Sequence, residues 1–309
     1  MLILHRTITL GFAAALAATV EARAQPEAPE ATSLMGKPLY RLQIPSDQKA
    51  KLDENLAKAQ ADYDKDPKNA DNVIWLGRRL AYLHRYRDAI GVFSKGAALY
   101  PEDARFYRHR GHRYITLRDL DKSLADFEKA ASLIKGKPDQ EEASGTGGRP
   151  GTLHFNVWYH KGLAHYLKGD FEKAREAYVE CMKVSEGDNE SVVATSDWLY
   201  MTLRRVGKKD DAAKILERIT ADMEIKENVA YHKRLLLYKG LAKPESLLTL
   251  EKPDELQLAT QGYGVANWYL YNGDTTKARE LFTKVVAGTY WPAFGYIAAE
   301  VDLKRMPAN

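Results

Sequence analysis

One cysteine in 309 residues, Cys181, leaves no partner for an internal disulfide, so no covalent staple holds this chain. Charge of one sign is also lacking. There are 46 Lys and Arg against 42 Asp and Glu, a net of +4 spread along the chain, which argues against bulk electrostatic binding of nucleic acid. After residue 24 no apolar run approaches the roughly 20 residues a spanning helix needs. Catalytic signatures are missing as well. Gly-x-Ser-x-Gly and His-Glu-x-x-His do not occur, and no loop carries a close acidic pair suited to acid–base work, so no catalytic residue and no cofactor is expected. Gly145-x-Gly147-Gly148 has neither a strand before it nor Gly-Lys-Ser/Thr after it, and therefore reads as a linker. Asp62-x-Asp64-x-Asp66 resembles the start of a calcium loop, but Pro67 stands where the turn needs Gly and Val73 where Glu should close the shell. It reads as a polar helix end.

The N-terminus carries a positively charged start, Met1 to Arg6, an apolar stretch, Thr7 to Val20, and small residues Ala22 and Ala24. That pattern predicts a cleavable secretory signal over residues 1–24 and a mature chain in the periplasm, with no membrane span left after cleavage. The proline-rich stretch that follows, 25–46, has little apolar periodicity and is expected to be a flexible or loosely docked leader. With 45% hydrophobic and 28% charged residues the remainder has an ordinary supply of core-forming side chains.

From residue 47 to 304 apolar residues recur at three- and four-residue spacing, broken by Gly, Asn, Asp or Pro, so the chain reads as helix after helix. Leu76-Gly77, Leu80, Ala89, Phe93, Gly96 and Pro101 recur as Tyr107, Gly111, Tyr114, Ser123, Phe127 and Ala130, with the two glycines 34 residues apart. Trp158, Gly162, His165, Ala174, Tyr178 and Cys181 repeat the pattern after an insert at 136–152. Two antiparallel helices approach closely only where side chains are small, which is the use of Gly77, Ala89, Gly111, Ser123, Gly162 and Ala174. Cys181 occupies such a contact and is expected to be a buried thiol. The insert is longer than helix–helix connections usually are and is expected to be disordered, the other reading being a lid.

These residues resemble the tetratricopeptide repeat, a helix–turn–helix unit with a small residue in its first helix and an Ala-x-x-x-aromatic core in its second. Further units center on Tyr200, Leu203, Ala212 and Leu216, and on Ala266, Tyr269, Ala278 and Phe282, with a clipped unit over 229–250. The resemblance implies an all-α, right-handed superhelical solenoid of antiparallel helix pairs, about 5–6 repeats, with capping helices at 47–66 and 291–304. It also implies a scaffold or adaptor, without enzymatic activity, that holds a protein or peptide segment in a concave groove lined by the first helices. Projected on that face are Arg78, Tyr82, Arg108, His112, Tyr159, Tyr166, Arg204, Arg205, Tyr263, Asn267 and Tyr271. Tyr and Arg are the residue types enriched at binding hot spots. A partner in the cell envelope is expected, the alternative being an anionic glycan or exopolysaccharide. His160 and His165, five residues apart, point away from each other, and no metal site is expected.

Overall fold

The computed structural model describes residues 28–145, 148–248 and 255–307; the expected signal at 1–24 lies outside the described residues. Fourteen helices occur among the described residues. After α1 (Ser46–Lys65) come the pairs α2 (Ala70–Tyr82) and α3 (Tyr86–Leu99), α4 (Ala104–Thr116) and α5 (Leu120–Ile134), and α6 (Leu153–Lys168) and α7 (Phe171–Ser185). Then follow α8 (Asn189–Arg205) with α9 (Lys209–Glu217), the clipped α10 (Val229–Tyr238) with α11 (Pro244–Leu248), α12 (Glu255–Tyr271) with α13 (Thr275–Ala287), and α14 (Phe294–Arg305). Each pair packs antiparallel on the next, giving the expected solenoid.

Short polar side chains start the helices by accepting otherwise free N–H groups: Asn69 from Asp71 and Asn72, Asp119 from Lys122, and Asp188 from Ser191. Between the two helices of a unit one residue sits in the left-handed region. That residue is Gly169, Gly207 or Gly273 in the later units, but His84 (φ 59°) and Arg118 (φ 66°) in the first two. A side chain there costs about 1 kcal/mol or more, so the two exceptions call for a compensating contact. Arg118 has one, described below.

The small-residue contacts lie where the spacing puts them. A Cβ at Gly111 would meet the Phe127 ring at 3.0 Å and one at Gly162 the Tyr178 ring at 2.8 Å, and Gly77 is as tightly covered by Phe93. Gly162→Leu should therefore separate α6 from α7 and cost about 3 kcal/mol, read as a lower urea midpoint at unchanged m-value. An unaltered midpoint would mean that the α6–α7 contact can relax freely.

The edges of the solenoid are more built than a leader, a loop and an end cap. Of its two readings the leader takes the docked one over its described part: β1 (Ala31–Thr32) pairs antiparallel with β2 (Pro38–Leu39), Ala31 and Leu39 are buried in the core, and Glu30 accepts from Arg41 and from the backbone N–H of Arg87. The insert is not disordered over its described part. β3 (Glu141–Glu142) pairs with β4 (Gly151–Thr152), and the Glu142 side chain is only 8% exposed. The last helix is more than an end cap, since α14 packs on α12 and α13 and also turns inward against α6.

That inward turn closes the superhelix on itself. Arg118 Nε meets Glu300 of α14 at 3.0 Å, both side chains almost fully buried, and Arg118 also donates to the carbonyls of Thr116 and Trp291. The Trp291 indole N–H donates to the Tyr40 carbonyl at 2.8 Å, and Arg305 donates to the Leu167 carbonyl at 2.6 Å. Tertiary bonds from one guanidinium to Glu300 and to the Trp291 carbonyl offset the strained backbone at Arg118.

Candidate binding site on the concave face

The first helices α2, α4, α6, α8 and α12 point one face inward, as their periodicity requires, but closure buries much of it. Tyr159 is 5% exposed, Tyr166 1%, and Tyr263 and Asn267 are fully covered. The expectation of a solvent-facing row of aromatic anchors is therefore corrected for these four. The physical reason is curvature, which brings α6 and α12 together with α14 until their polar tips bond one another. Tyr166 and Tyr263 share a hydroxyl–hydroxyl bond of 2.8 Å, Asn267 Nδ2 donates to the Tyr166 hydroxyl at 3.0 Å, and the Tyr263 hydroxyl donates to Asp302 at 3.0 Å. Arg205 completes this network, donating to Asn267 Oδ1 at 3.0 Å and to Asp302 at 2.7 Å. Arg204 sits 4.3 Å over the Tyr271 ring and donates to the Tyr200 hydroxyl and Asn272 Oδ1. On α8, Asp197 forms a wholly buried pair with Arg234 of α10. Tyr166, Arg205, Tyr263 and Asn267 thus spend their polar groups on each other and on Asp302, whereas Arg204 bonds Tyr200 and Asn272.

The N-terminal members gather around the insert. Arg78 donates to the Ala143 carbonyl at 2.7 Å, and Tyr82 packs against Gly145. Arg108 Nε lies 3.0 Å from Glu142 Oε2, and Arg108 Nη1 donates to His109 Nδ1 at 2.7 Å. That bond fixes the neutral tautomer with the proton on Nε2, which faces Glu142 Oε1 at 3.4 Å. Burial would raise the Glu142 carboxyl, but the Arg108 charge and hydrogen bonds from His109 and Asn156 outweigh it and hold the carboxyl well below its usual range.

Behind this cluster lie His112 and His160, ring centroids 4.3 Å apart, with Phe294 of α14 5.3 Å from His112. Burial, reinforced by Arg108, pushes His109 and His160 down to about 3, and burial with Arg113 pushes His112 well below its ordinary value. All three imidazoles are neutral at pH 7. No three His, Cys, Asp or Glu side chains among the described residues are placed to hold a metal. Cys181 is fully buried, its thiol pushed up to about 12 by burial, which leaves it inert as a nucleophile.

Two residues that sequence reasoning missed carry the electrostatics. Arg113, half-buried, lies 5.4 Å from the center of the Tyr86 ring, and among the described residues it has no carboxylate within ion-pair reach. Its charge is disfavored by burial and by the like charges of Arg108 and Arg78. The other is Glu142. The available signal for it was Glu141-Glu142, a pair of like charges in an insert one helix after the basic run Arg105 to Arg118. Arg113 lines a cleft of about 720 Å³ between the leader, the end of α2 and the segment before α14, with Leu42, Ile44, Tyr82, Tyr86 and Tyr290 among its walls.

Stacked antiparallel pairs with a shared inward face define a helical-repeat solenoid. Sequence models of the tetratricopeptide repeat match residues 76–140 and 155–188, and the chain is a tetratricopeptide-repeat protein. It is 27% identical over 137 residues to BBSome complex member BBS4 of Bos taurus, covering 44% of this chain and 23% of that one. It is 23% identical over 129 residues to small glutamine-rich tetratricopeptide repeat-containing protein 2 of Saccharomyces cerevisiae, covering 42% and 32%. The chain thus spans a third or less of these relatives. Among solved structures, a tetratricopeptide repeat protein from Parabacteroides merdae aligns over 84% of this chain and 94% of that one, with 16% identity and a TM-score of 0.51. This last likeness shows the fold alone.

Proposed function

We propose that the protein is an exported scaffold of the periplasm that holds a segment of another protein in the part of its concave face that closure leaves open. The observation that carries this reading is the Arg113 cleft. It joins Tyr82, Tyr86 and Tyr290 with Leu42, Ile44 and Leu52 and with the guanidinium of Arg113, which among the described residues has no carboxylate within ion-pair reach although Arg41 and Glu255 also line the cleft, a mixture suited to anchoring a peptide by area and by charge. The signal-like residues 1–24 support the compartment.

Capture from an envelope extract tests the reading. Wild-type protein should retain one stoichiometric partner, and Arg113→Glu should lose it by at least about tenfold in affinity, or 1.4 kcal/mol. The variant should fold, because Arg108 and Arg78 are near enough to favor a carboxylate there. Changing Lys208 and Lys209, at the start of α9, should leave capture intact. Retention by Arg113→Glu together with loss in the lysine variant would move the partner to the outer surface. Glycan retained without protein would replace the scaffold reading with the polysaccharide one. Intact mass of the exported protein should begin at or near Gln25.

A further inference from the structure

We propose that the insert between α5 and α6 is a built-in occupant of the concave face, holding the place of an acidic, extended segment of the partner, which displaces it on binding. This rests on the scaffold reading above. The insert crosses the first helices of three successive units. Arg78 and Arg79 of α2 donate to the carbonyls of Ala143 and Gly145 at 2.7 and 2.9 Å. Arg108 and His109 of α4 face the Glu142 carboxylate, and Asn156 of α6 donates to it at 2.7 Å.

The contacts say what kind of chain fits. Two go to backbone carbonyls, which any extended peptide supplies, and the rest converge on one carboxylate, which only Asp, Glu or a chain end supplies. Four guanidinium groups, of Arg78, Arg79, Arg108 and Arg113, surround the site, and among the described residues Glu142 is the one carboxylate that pairs with any of them. A segment with two or more carboxylates would neutralize more of that charge than the insert does.

Exchange is also inexpensive. Residues 139–150 contain no large apolar side chain, so lifting the insert exposes little hydrophobic surface. Against α2, α4 and α6 it is held by the carboxylate and the carbonyls, which an incoming acidic segment replaces, while the β3–β4 bonds and the Arg149–Asp188 pair anchor its C-terminal side. Unaccompanied release would instead strand Arg108 beside neutral His109 without a counter-charge. The tether favors the insert through its high local concentration, which sets the threshold a partner must exceed.

The test uses a fluorescein-labeled peptide copying residues 138–145, with a copy bearing Gln at both glutamates as control. Anisotropy should show the acidic peptide binding Glu142→Gln at least about tenfold tighter than wild type, with the gain lost when Arg108→Gln is added. In the unaltered protein, saturating acidic peptide should speed amide hydrogen exchange at residues 141–145, and this second readout stands even if the variant folds poorly. Equal affinity of wild type and variant, binding equal to the Gln control, or binding that leaves exchange at 141–145 unchanged would each overturn the proposal. So would displacement of the insert by dextran sulfate but not by the peptide. A captured partner that leaves the insert protected sinks this inference alone, whereas a displaced insert with no protein captured sinks the scaffold reading alone.

Discussion

Tyr166→Ala should lower the free energy of unfolding by about 3–5 kcal/mol, the range for removing a large aromatic from a packed interior. The ring is 1% exposed and stands edge-on to Trp198 at 5.2 Å and to Phe171 at 5.1 Å, so truncation opens a cavity walled by large, stiff neighbors. Its hydroxyl accepts from Asn267 and bonds Tyr263, and losing it leaves buried polar groups short of a partner, which adds about 1–3 kcal/mol. Tyr166→Phe keeps the ring and should cost only that second part. Urea unfolding followed by circular dichroism separates the two variants. If Tyr166→Ala unfolded at the wild-type midpoint and lost only partner capture, α6 would have to present an open face, and the closed superhelix described above would be wrong.

The same residue marks where sequence reasoning succeeds and where it stops. Close helix contact at Gly77, Gly111 and Gly162 is legible because each contact spans one helical hairpin and repeats with the unit, although which ring covers each glycine is not. Which first-helix residues face inward is legible too, since helical period alone decides it. Whether that inner face meets water is a different matter, because it depends on curvature summed over all the units. The decisive contact, Arg118 with Glu300, joins residues 182 positions apart, and no local pattern encodes it. A trace of it does exist in α14. A terminal cap needs a polar outer side, but Gly295 to Val301 is buried all round, including Tyr296, Ile297, Ala298 and Ala299. A helix without a polar face belongs inside a structure, and reading α14 that way would have anticipated closure. Likewise the Gly and Pro content of the insert suggested disorder, while the binding information sat in Glu142, a single charge whose partners are on other helices.

Acid should unfold the protein well above the pH at which its carboxylates titrate. His109, His112 and His160 are neutral in the folded chain, with His109 and His160 pushed down to about 3, whereas an unfolded histidine titrates near 6.5. Below that value the unfolded state binds protons the folded state refuses, so stability is full above about pH 6.5 and falls as pH drops toward 3. Each imidazole contributes about 2 kcal/mol of loss by pH 5, so three lower the unfolding free energy by about 6 kcal/mol, comparable to the whole stability of many domains. The rings cannot escape by charging in place. His109 is stacked on Phe93 beside Arg108, His112 lies between His160 and Phe294 near Arg113, and His160 faces Phe127 while its Nδ1 bonds the Asn156 carbonyl. Glu142 is the only carboxylate paired with this cluster among the described residues, and it acts in the same direction at lower pH. Its folded value is depressed, so its contribution is present above about 4.5 and is lost as pH falls further. Urea midpoints measured from pH 7.5 to 4.5 should therefore fall below pH 6.5, with an uptake on unfolding of up to about three protons at these imidazoles, offset by about one at Asp197, whose carboxyl burial pushes up to about 7. His112→Leu should reduce that uptake by about one. A midpoint that stayed level from pH 7.5 to 5 would mean the imidazoles reach water, and the inward packing of α14 through Phe294 would have to be abandoned.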